Sequence, residues 1–170
     1  MSDTLILVDS SDREVGYEQK EKCHKNPAPL HRAFSIFIFN RKGELLIQRR
    51  NSKKVTWGGV WSNTCCSHPR KGESLQNAAK RRLKEELGFT TDLRHLFHFT
   101  YDAAWNKEWG EHELDHVFVG EYDGEVSPSK EEVENCKWVD AEELKKDMKK
   151  NAGSYTPWFK ICFERVLKEK

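Results

Sequence analysis

Between Trp61 and Glu73 the chain reads WSNTCCSHPRKGE, with Cys65 and Cys66 adjacent and Cys66 two positions before His68. A thiol and an imidazole at that spacing suit the flank of a metal site, a reactive thiol, or a turn holding two buried sulfurs. Two further histidines, His24 and His31, precede this stretch, and Glu111 and Glu113 alternate in GEHEL. Side chains of an extended segment repeat every second residue, so both carboxylates point to one face, ~7 Å apart along the chain. Three imidazoles and two carboxylates form an N3O2 set for a divalent ion such as Mn²⁺, Zn²⁺ or Mg²⁺. Singly, each has an ordinary alternative: loop histidines are commonly solvated, and alternating acids often mark only the wet face of a strand.

A second group lies on a helix. GESLQNAAKRRLKEELG is helical in pattern and is closed by Gly88. Wound at 100° per residue, Leu75, Ala79 and Leu83 form an inward stripe. Arg82 and Glu86 fall on the same side, whereas Glu85 lies off it. Charges on a core-facing stripe need a partner. Either the two pair with each other four residues apart, or the carboxylate is directed at a metal and the guanidinium at an anion.

The rest of the chain must position these groups. Its 170 residues have the size of one domain, predicted to span residues 1–170. Lys plus Arg (29) nearly balances Asp plus Glu (28), which gives no general attraction to nucleic acid or membrane. No apolar run approaches the ~20 residues of a membrane span, and the N-terminal MSDTLILVDSSDREVG lacks the basic start of a signal peptide. Five irregularly spaced cysteines (Cys23, Cys65, Cys66, Cys136, Cys162) form no disulfide framework, so a reducing cytoplasm is expected.

TLILVD, AFSIFIFN, ELLIQRR, DLRHLFHFTYDA and ELDHVFVGEY read as strands, and KWVD as a short one. Helices follow in AEELKKDMKKN and TPWFKICFERVLKEK. EVGYEQKEKCHKNPAPLH reads as a loop, and NSKKVTWGGVWSNTCCSHPRKG as a long functional connection. The order predicts an α+β fold with a mixed or antiparallel sheet between helices. Trp57, Trp61 and Trp138 read as packing residues, and Trp105 and Trp109 as a lid or loop anchor. His95, His98, His112 and His116 read as structural or surface residues.

The helix resembles the Nudix signature G-x5-E-x7-R-E-U-x-E-E-x-G-U. Glu73, Arg81, Leu83, Glu85, Glu86, Gly88 and Phe89 fit it, while Ser67 replaces the first glycine and Arg82 replaces a glutamate. That signature implies a Nudix-type fold, here with one carboxylate of the hydrolytic metal cluster exchanged for a cation. The blocks HRAFSIFIFNRKGELLIQRR, GVWSNTCCSHPRKGES, RRLKEELG, GEHELDHVF and TPWF, in that order, are similar to the type I isopentenyl-diphosphate isomerases.

The resemblance implies interconversion of isopentenyl and dimethylallyl diphosphate by protonation and deprotonation. It implies an acid/base pair in Cys66 and Glu113 assisted by Tyr101, with Cys65 in a variable position. It also implies metal ligation by His24, His31, His68, Glu111 and Glu113. Glu86 would hold a second ion, Mg²⁺, that bridges to the diphosphate. Lys20, Arg50, Lys54 and Arg82 would contact the diphosphate, and Trp158 would face the carbon skeleton. The expected partner is a small diphosphate, with no nucleic acid, membrane or obligate protein. Two alternatives are a Nudix pyrophosphohydrolase acting on a nucleotide or related diphosphate, and a non-catalytic binding module.

Overall fold

The apolar run HRAFSIFIF forms a strand that is buried almost throughout, and its two side-chain parities feed two separate cores. In the computed structural model, which describes residues 3–170, this strand is β3 (His31–Phe39). Two strands precede it, β1 (Thr4–Val8) and β2 (Glu14–Gln19). Next come β4 (Leu45–Arg50), β5 (Trp61–Ser62) and β6 (Cys65–Ser67), and then β7 (Arg94–Ala104), β8 (Gly110–Glu121) and β9 (Val133–Val139). The helices are α1 (Lys20–Cys23), α2 (Leu75–Leu87), α3 (Ala141–Lys150) and α4 (Pro157–Glu169).

Phe34, Ile36 and Ile38 pack with Ala78, Ala79, Leu83 and Leu87 of α2. Phe37 and Phe39 pack with Leu144 and Met148 of α3 and with Trp158, Phe159 and Phe163 of α4. A strand covered on both faces has no wet side, which is why its sequence does not alternate. The sheet is mixed, as expected. β3 runs parallel to β8 and antiparallel to β1, β4 and β6, while β7 pairs antiparallel with β8 and β9 with β4. None of the described helices is long and apolar enough to cross a membrane.

Local chemistry sets the helix ends. The Ser74 hydroxyl accepts from Asn77 N at the start of α2. Gly88 closes the helix at φ 81°, where a side chain would also meet Ser127 O at 2.8 Å. Asp140 accepts from the Glu142 and Glu143 amides at the start of α3, and Pro157 opens α4.

Two stretches differ from expectation. Residues 14–23, read as loop, form β2 and α1. Among the described residues β2 pairs with β1 alone, and its side chains are largely exposed, so the strand leaves little apolar alternation to read. The long connection after β4 contains β5 and β6, of two and three residues, too short to show a period.

Gly110 opens β8 at a crowded point. Its amide donates to His24 O at 3.0 Å, and a Cβ there would lie 2.5 Å from Asn26 Oδ1 and 2.8 Å from Ala103 O. Gly110→Ala is therefore expected to push the segment carrying His24 off the β7–β8 hairpin. Overpacking of this kind costs roughly 1–3 kcal/mol, read as a lower thermal midpoint together with less bound divalent metal. A variant that melts and binds metal like the parent would show that the contact is dispensable.

Candidate active site and metal centre

Strand parity sorts the paired cysteines. On β6, Cys65 lies opposite Ile36 and Cys66 opposite Ser35 of β3. Cys65 is fully buried in the α2 core, whereas Cys66 lines a cavity of 560 Å³ near the α4 layer. His68, two residues on, lines the same cavity.

Register assembles the next row. The parallel ladder sets His31 beside Glu113, and the antiparallel ladder sets Tyr101 beside Glu113. Tyr101, Glu113 and His31 thus form one row across three strands. His24 arrives from the end of α1, held by the bond from Gly110.

His24, His31, His68 and Glu113 offer ligand atoms that all lie within 4.8 Å of one another. The three ring centroids are 5.0–5.1 Å apart. Nδ1–H of His24 donates to Lys20 O at 2.7 Å, and Nδ1–H of His31 donates to Pro29 O at 2.9 Å. Carbonyl oxygens only accept, so both tautomers are fixed and both Nε2 lone pairs face inward. Metal-binding imidazoles are oriented in this way. The Nε2 atoms of His24, His31 and His68 lie 4.0, 3.4 and 2.6 Å from one oxygen, Glu113 Oε1. Nε2 of His31 is buried without a hydrogen-bond partner. An orphaned, inward-facing nitrogen among carboxylate and imidazole donors fits a divalent metal.

Burial lowers the pKa of His24 to about 4 and that of His68 to about 3. Burial opposes charge on His31 too, but the Glu113 carboxylate outweighs it and raises that pKa. Burial would raise the pKa of Glu113, yet His68 and His31 hold it well below the usual range. Of the three imidazoles, His31 is thus the one whose protonated form the Glu113 carboxylate favours.

Glu111 does not join this four-residue group. Its Oε1 accepts from Thr56 Oγ1 at 2.7 Å, and its Oε2 lies 2.9 Å from the Tyr101 hydroxyl. That hydroxyl also lies 2.5 Å from Glu113 Oε2. Tyr101 has one proton for two carboxylates. Burial, with the neighbouring Glu113 charge, raises Glu111 to about 7, so Glu111 is the member of the pair that more readily holds a proton.

The Cys66 Sγ lies 3.5 Å from Arg50 Nη1. Burial nonetheless pushes the thiol up to about 12, so Cys66 carries its proton at neutral pH. Arg50 also donates to Thr56 O and Trp57 O, both at 3.1 Å, bracing the loop that holds Glu111. Its guanidinium sits 5.3 Å from the ring of Trp158. The indole N–H of Trp158 donates to Ser62 Oγ and Asn63 Oδ1, both at 3.1 Å, which aims the ring at the cavity.

Lys20, Lys54, Arg50 and Arg82 all line the cavity, as does Lys53. Desolvation lowers the pKa of Lys20, and repulsion from Lys54 and Arg82 lowers it further, although much of the side chain stays exposed at the rim. Glu86 is placed differently from the expectation. It is buried, with Oε1 2.5 Å from Arg82 Nη2 and Oε2 2.9 Å from Gln48 Nε2, and it does not line the cavity. Arg82 makes the i,i+4 pair with Glu86 and also lines the cavity.

Sequence reasoning missed Glu132, which bridges Lys54 and Arg82 at the cavity wall. Burial would raise its pKa, but those two cations bring it down to about 2. It also missed Thr56 and Gln48. Nothing in their local patterns marks them, because each acts on a residue at least 38 positions away. Trp57 packs against Trp158 at 5.5 Å and Trp105 at 5.4 Å, while Trp109 lines the cavity.

The NUDIX domain family model matches residues 29–159. Among solved structures, DR0079 of Deinococcus radiodurans superposes with a TM-score of 0.71 at 20% identity, covering 87% of this chain and 90% of that one. A MutT protein of Methanosarcina mazei gives 0.69 at 24%, covering 83% and 95%. The chain belongs to the NUDIX-domain family.

Within it, isopentenyl-diphosphate Delta-isomerase 2 of Aromatoleum aromaticum is 44% identical over 98% of this chain and 88% of its own length. The isopentenyl-diphosphate Delta-isomerase of Burkholderia multivorans is 44% identical over 98% and 94%. The chain therefore belongs to the isopentenyl-diphosphate Delta-isomerase family.

A divalent ion entering the cluster competes with a proton for His31 Nε2, because Glu113 raises the pKa of that imidazole. Uptake is therefore expected to release protons, more of them as the pH falls, measurable by calorimetry in buffers of different ionisation heat. His31→Ala should abolish both the release and most of the binding. Binding without proton release would show that His31 is neutral in the metal-free protein.

Proposed function

We propose that this chain interconverts isopentenyl and dimethylallyl diphosphate, with residues 1–170 acting as one domain (residues 1 and 2 lie outside those described). The reading is carried by one observation: a single cavity is lined by a protonated thiol, Cys66, and an ionised carboxylate, Glu113, with cations gathered around it. The names and near-complete coverage of the relatives support it.

Adding a proton to the terminal alkene carbon gives a tertiary cation, and losing one from the carbon on the other side forms the internal double bond. Cys66 and Glu113 are the proton-carrying pair, and Tyr101, bonded to both Glu111 and Glu113, is placed to relay between carboxylates. The ring of Trp158 offers a quadrupole to the cation, worth ~2 kcal/mol or more when desolvated. Lys20, Lys54, Arg50 and Arg82 anchor the diphosphate and so hold the alkene in place.

His24, His31, His68 and Glu113 would hold Mn²⁺, Zn²⁺ or Mg²⁺, whose positive charge would tune the basicity of Glu113. Glu111 would act beside that site through Tyr101 and Thr56. With Arg82 and Gln48 on its oxygens, Glu86 presents no free face to the cavity, so no step is assigned to an ion there. Mg²⁺ enters as the counter-ion of the substrate diphosphate. Incubation with isopentenyl diphosphate and Mg²⁺ should yield dimethylallyl diphosphate and no phosphate. Phosphate release without isomer would favour a hydrolase.

Cys66→Ala and Cys66→Ser are expected to lose nearly all turnover, whereas Cys65→Ala should keep its kcat and lose only packing stability, because the two thiols lie on opposite faces. Equal loss of kcat in all three would refute this division.

Arg82 tests the anion site. Arg82→Glu would restore the signature but add a carboxylate to Glu85, Glu86 and Glu132, all within 3.2 Å of the guanidinium. Arg82→Gln is the cleaner change. Removing one partner of a desolvated charge pair costs about 2–5 kcal/mol, so KM for isopentenyl diphosphate should rise by roughly tenfold or more, with no phosphate released. An unchanged KM would take Arg82 out of the anion site.

A further inference from the structure

The stretch WSNTCC turns a corner inside the sheet. β5 pairs with β4, β6 pairs with β3, and Asn63 and Thr64 form the bend between them. Both are fully buried, as are Ser62 before them and Thr156 at the start of α4. Thr64 ties β3 to β4: its Oγ1 accepts from Ile38 N at 2.9 Å and donates to Leu46 O at 2.5 Å.

Asn63 has other partners. Its Nδ2 donates to Ile36 O at 3.1 Å and to Cys65 O at 2.9 Å. Carbonyl oxygens only accept, so the amide has one orientation and Oδ1 faces the other way. There Oδ1 accepts from Ser62 Oγ at 2.9 Å and from the Trp158 indole N–H at 3.1 Å. Ser62 has then spent its proton, so Thr156 Oγ1 must donate to Ser62 Oγ, at 3.0 Å. Trp158 also donates to that oxygen, at 3.1 Å. All four hydrogen-bonding positions of the Asn63 amide are filled, and every bond in the network has a fixed direction. A buried polar network satisfied to this degree specifies one arrangement.

Two features of the cavity hang on it. The β6 ladder has only three pairs, Phe34 with Ser67, Ser35 with Cys66 and Ile36 with Cys65. A slip of one residue would turn every β6 side chain to the other face. Because the cysteines are adjacent, that slip would exchange one thiol for the other, sending Cys65 to the cavity and Cys66 to the α2 core. The two carbonyls held by Asn63 Nδ2 belong to facing residues, one on each strand. The amide thus bridges the ladder and makes both bonds only in the observed register. Its other end holds the indole of Trp158, whose ring lines the cavity together with Cys66.

We propose that Asn63 is a positioning residue of this site: one side-chain amide fixes the register that presents Cys66 rather than Cys65, and fixes the Trp158 ring in the same cavity. Its consequence for turnover rests on the isomerase reading above; its effect on the two thiols does not.

The test uses the whole chain with Asn63→Ala, which removes the network's centre, and with Asn63→Asp, which keeps the shape but has at most one proton for two carbonyls. Alkylation of each cysteine is followed by peptide mass spectrometry. Cys23, Cys65 and Cys162 are all buried in the parent and should all be protected. In the variants Cys65 should become as reactive as Cys66, while Cys23 and Cys162 stay protected. The residues gathered on the diphosphate, Lys20, Lys54 and Arg82, lie outside the network. The kcat for isopentenyl diphosphate should therefore fall about a hundredfold, the effect of a displacement of about 1 Å, with KM within about twofold of the parent. Cys65 protected in both variants would overturn the register role. Cys23 and Cys162 reacting along with Cys65 would make Asn63 a general structural residue and overturn the proposal too. A rise in KM with kcat unchanged would remove the positioning of Cys66 and Trp158. A parent without isomerase activity would sink that reading, and the thiol pattern would still decide the role of Asn63.

Discussion

The carboxylate of Glu113, buried in the middle of a sheet, is the constraint around which the rest of the site is arranged. A lone charge at that depth would be costly. Three imidazole Nε2 atoms and a phenol hydroxyl converge on its two oxygens. Each is delivered by a different element: α1, β3, the end of β6, and β7. The same convergence leaves a group that could hold a divalent ion, because side chains gathered on a carboxylate also define the space beside it. Fixed tautomers at His24 and His31 mean that this space is prepared before any ion arrives.

The cationic part of the cavity solves a different electrostatic problem. Arg50, Lys54 and Arg82 cannot be held near one another without compensation. Glu132 bridges two of them, Glu86 holds the third contact of Arg82, and the Cys66 sulfur with the Thr56 and Trp57 carbonyls holds Arg50. Under the proposed function, a diphosphate would compete with Glu132 for the same guanidinium and ammonium. Arg82 in the signature helix thus has two consequences. It pairs with Glu86, and it adds a positive wall to the cavity.

The two cysteines of WSNTCCSHPRKGE show how far local pattern reaches. Period-two alternation is enough to put Cys66 and His68 on one face and Cys65 on the other, once β6 is known to be a strand. A three-residue strand has no period of its own, and only its pairing with β3 makes it one. The histidines reading as surface or structural residues, His95, His98 and His116, show the converse. A register shift between His95 and Phe97 gathers them on one face, and no spacing rule predicts where a strand will take an extra residue.

The sequence by itself determined the α+β order, the buried spine at AFSIFIFN, the amphipathic α2 with its capping serine and glycine, and the residue types of a metal and anion site. These follow from short-range physics: side-chain period, capping and helix dipoles act within a few residues. Only the tertiary structure groups Glu113 with the imidazoles, gives Glu111 the Thr56 and Tyr101 hydroxyls, and gives Glu86 the Arg82 and Gln48 side chains. Most of those outcomes depend on partners brought close by strand register and loop closure across long stretches of chain. Alternating carboxylates on one face are chemically equivalent in sequence, and they become distinct only when neighbouring strands assign each its donors.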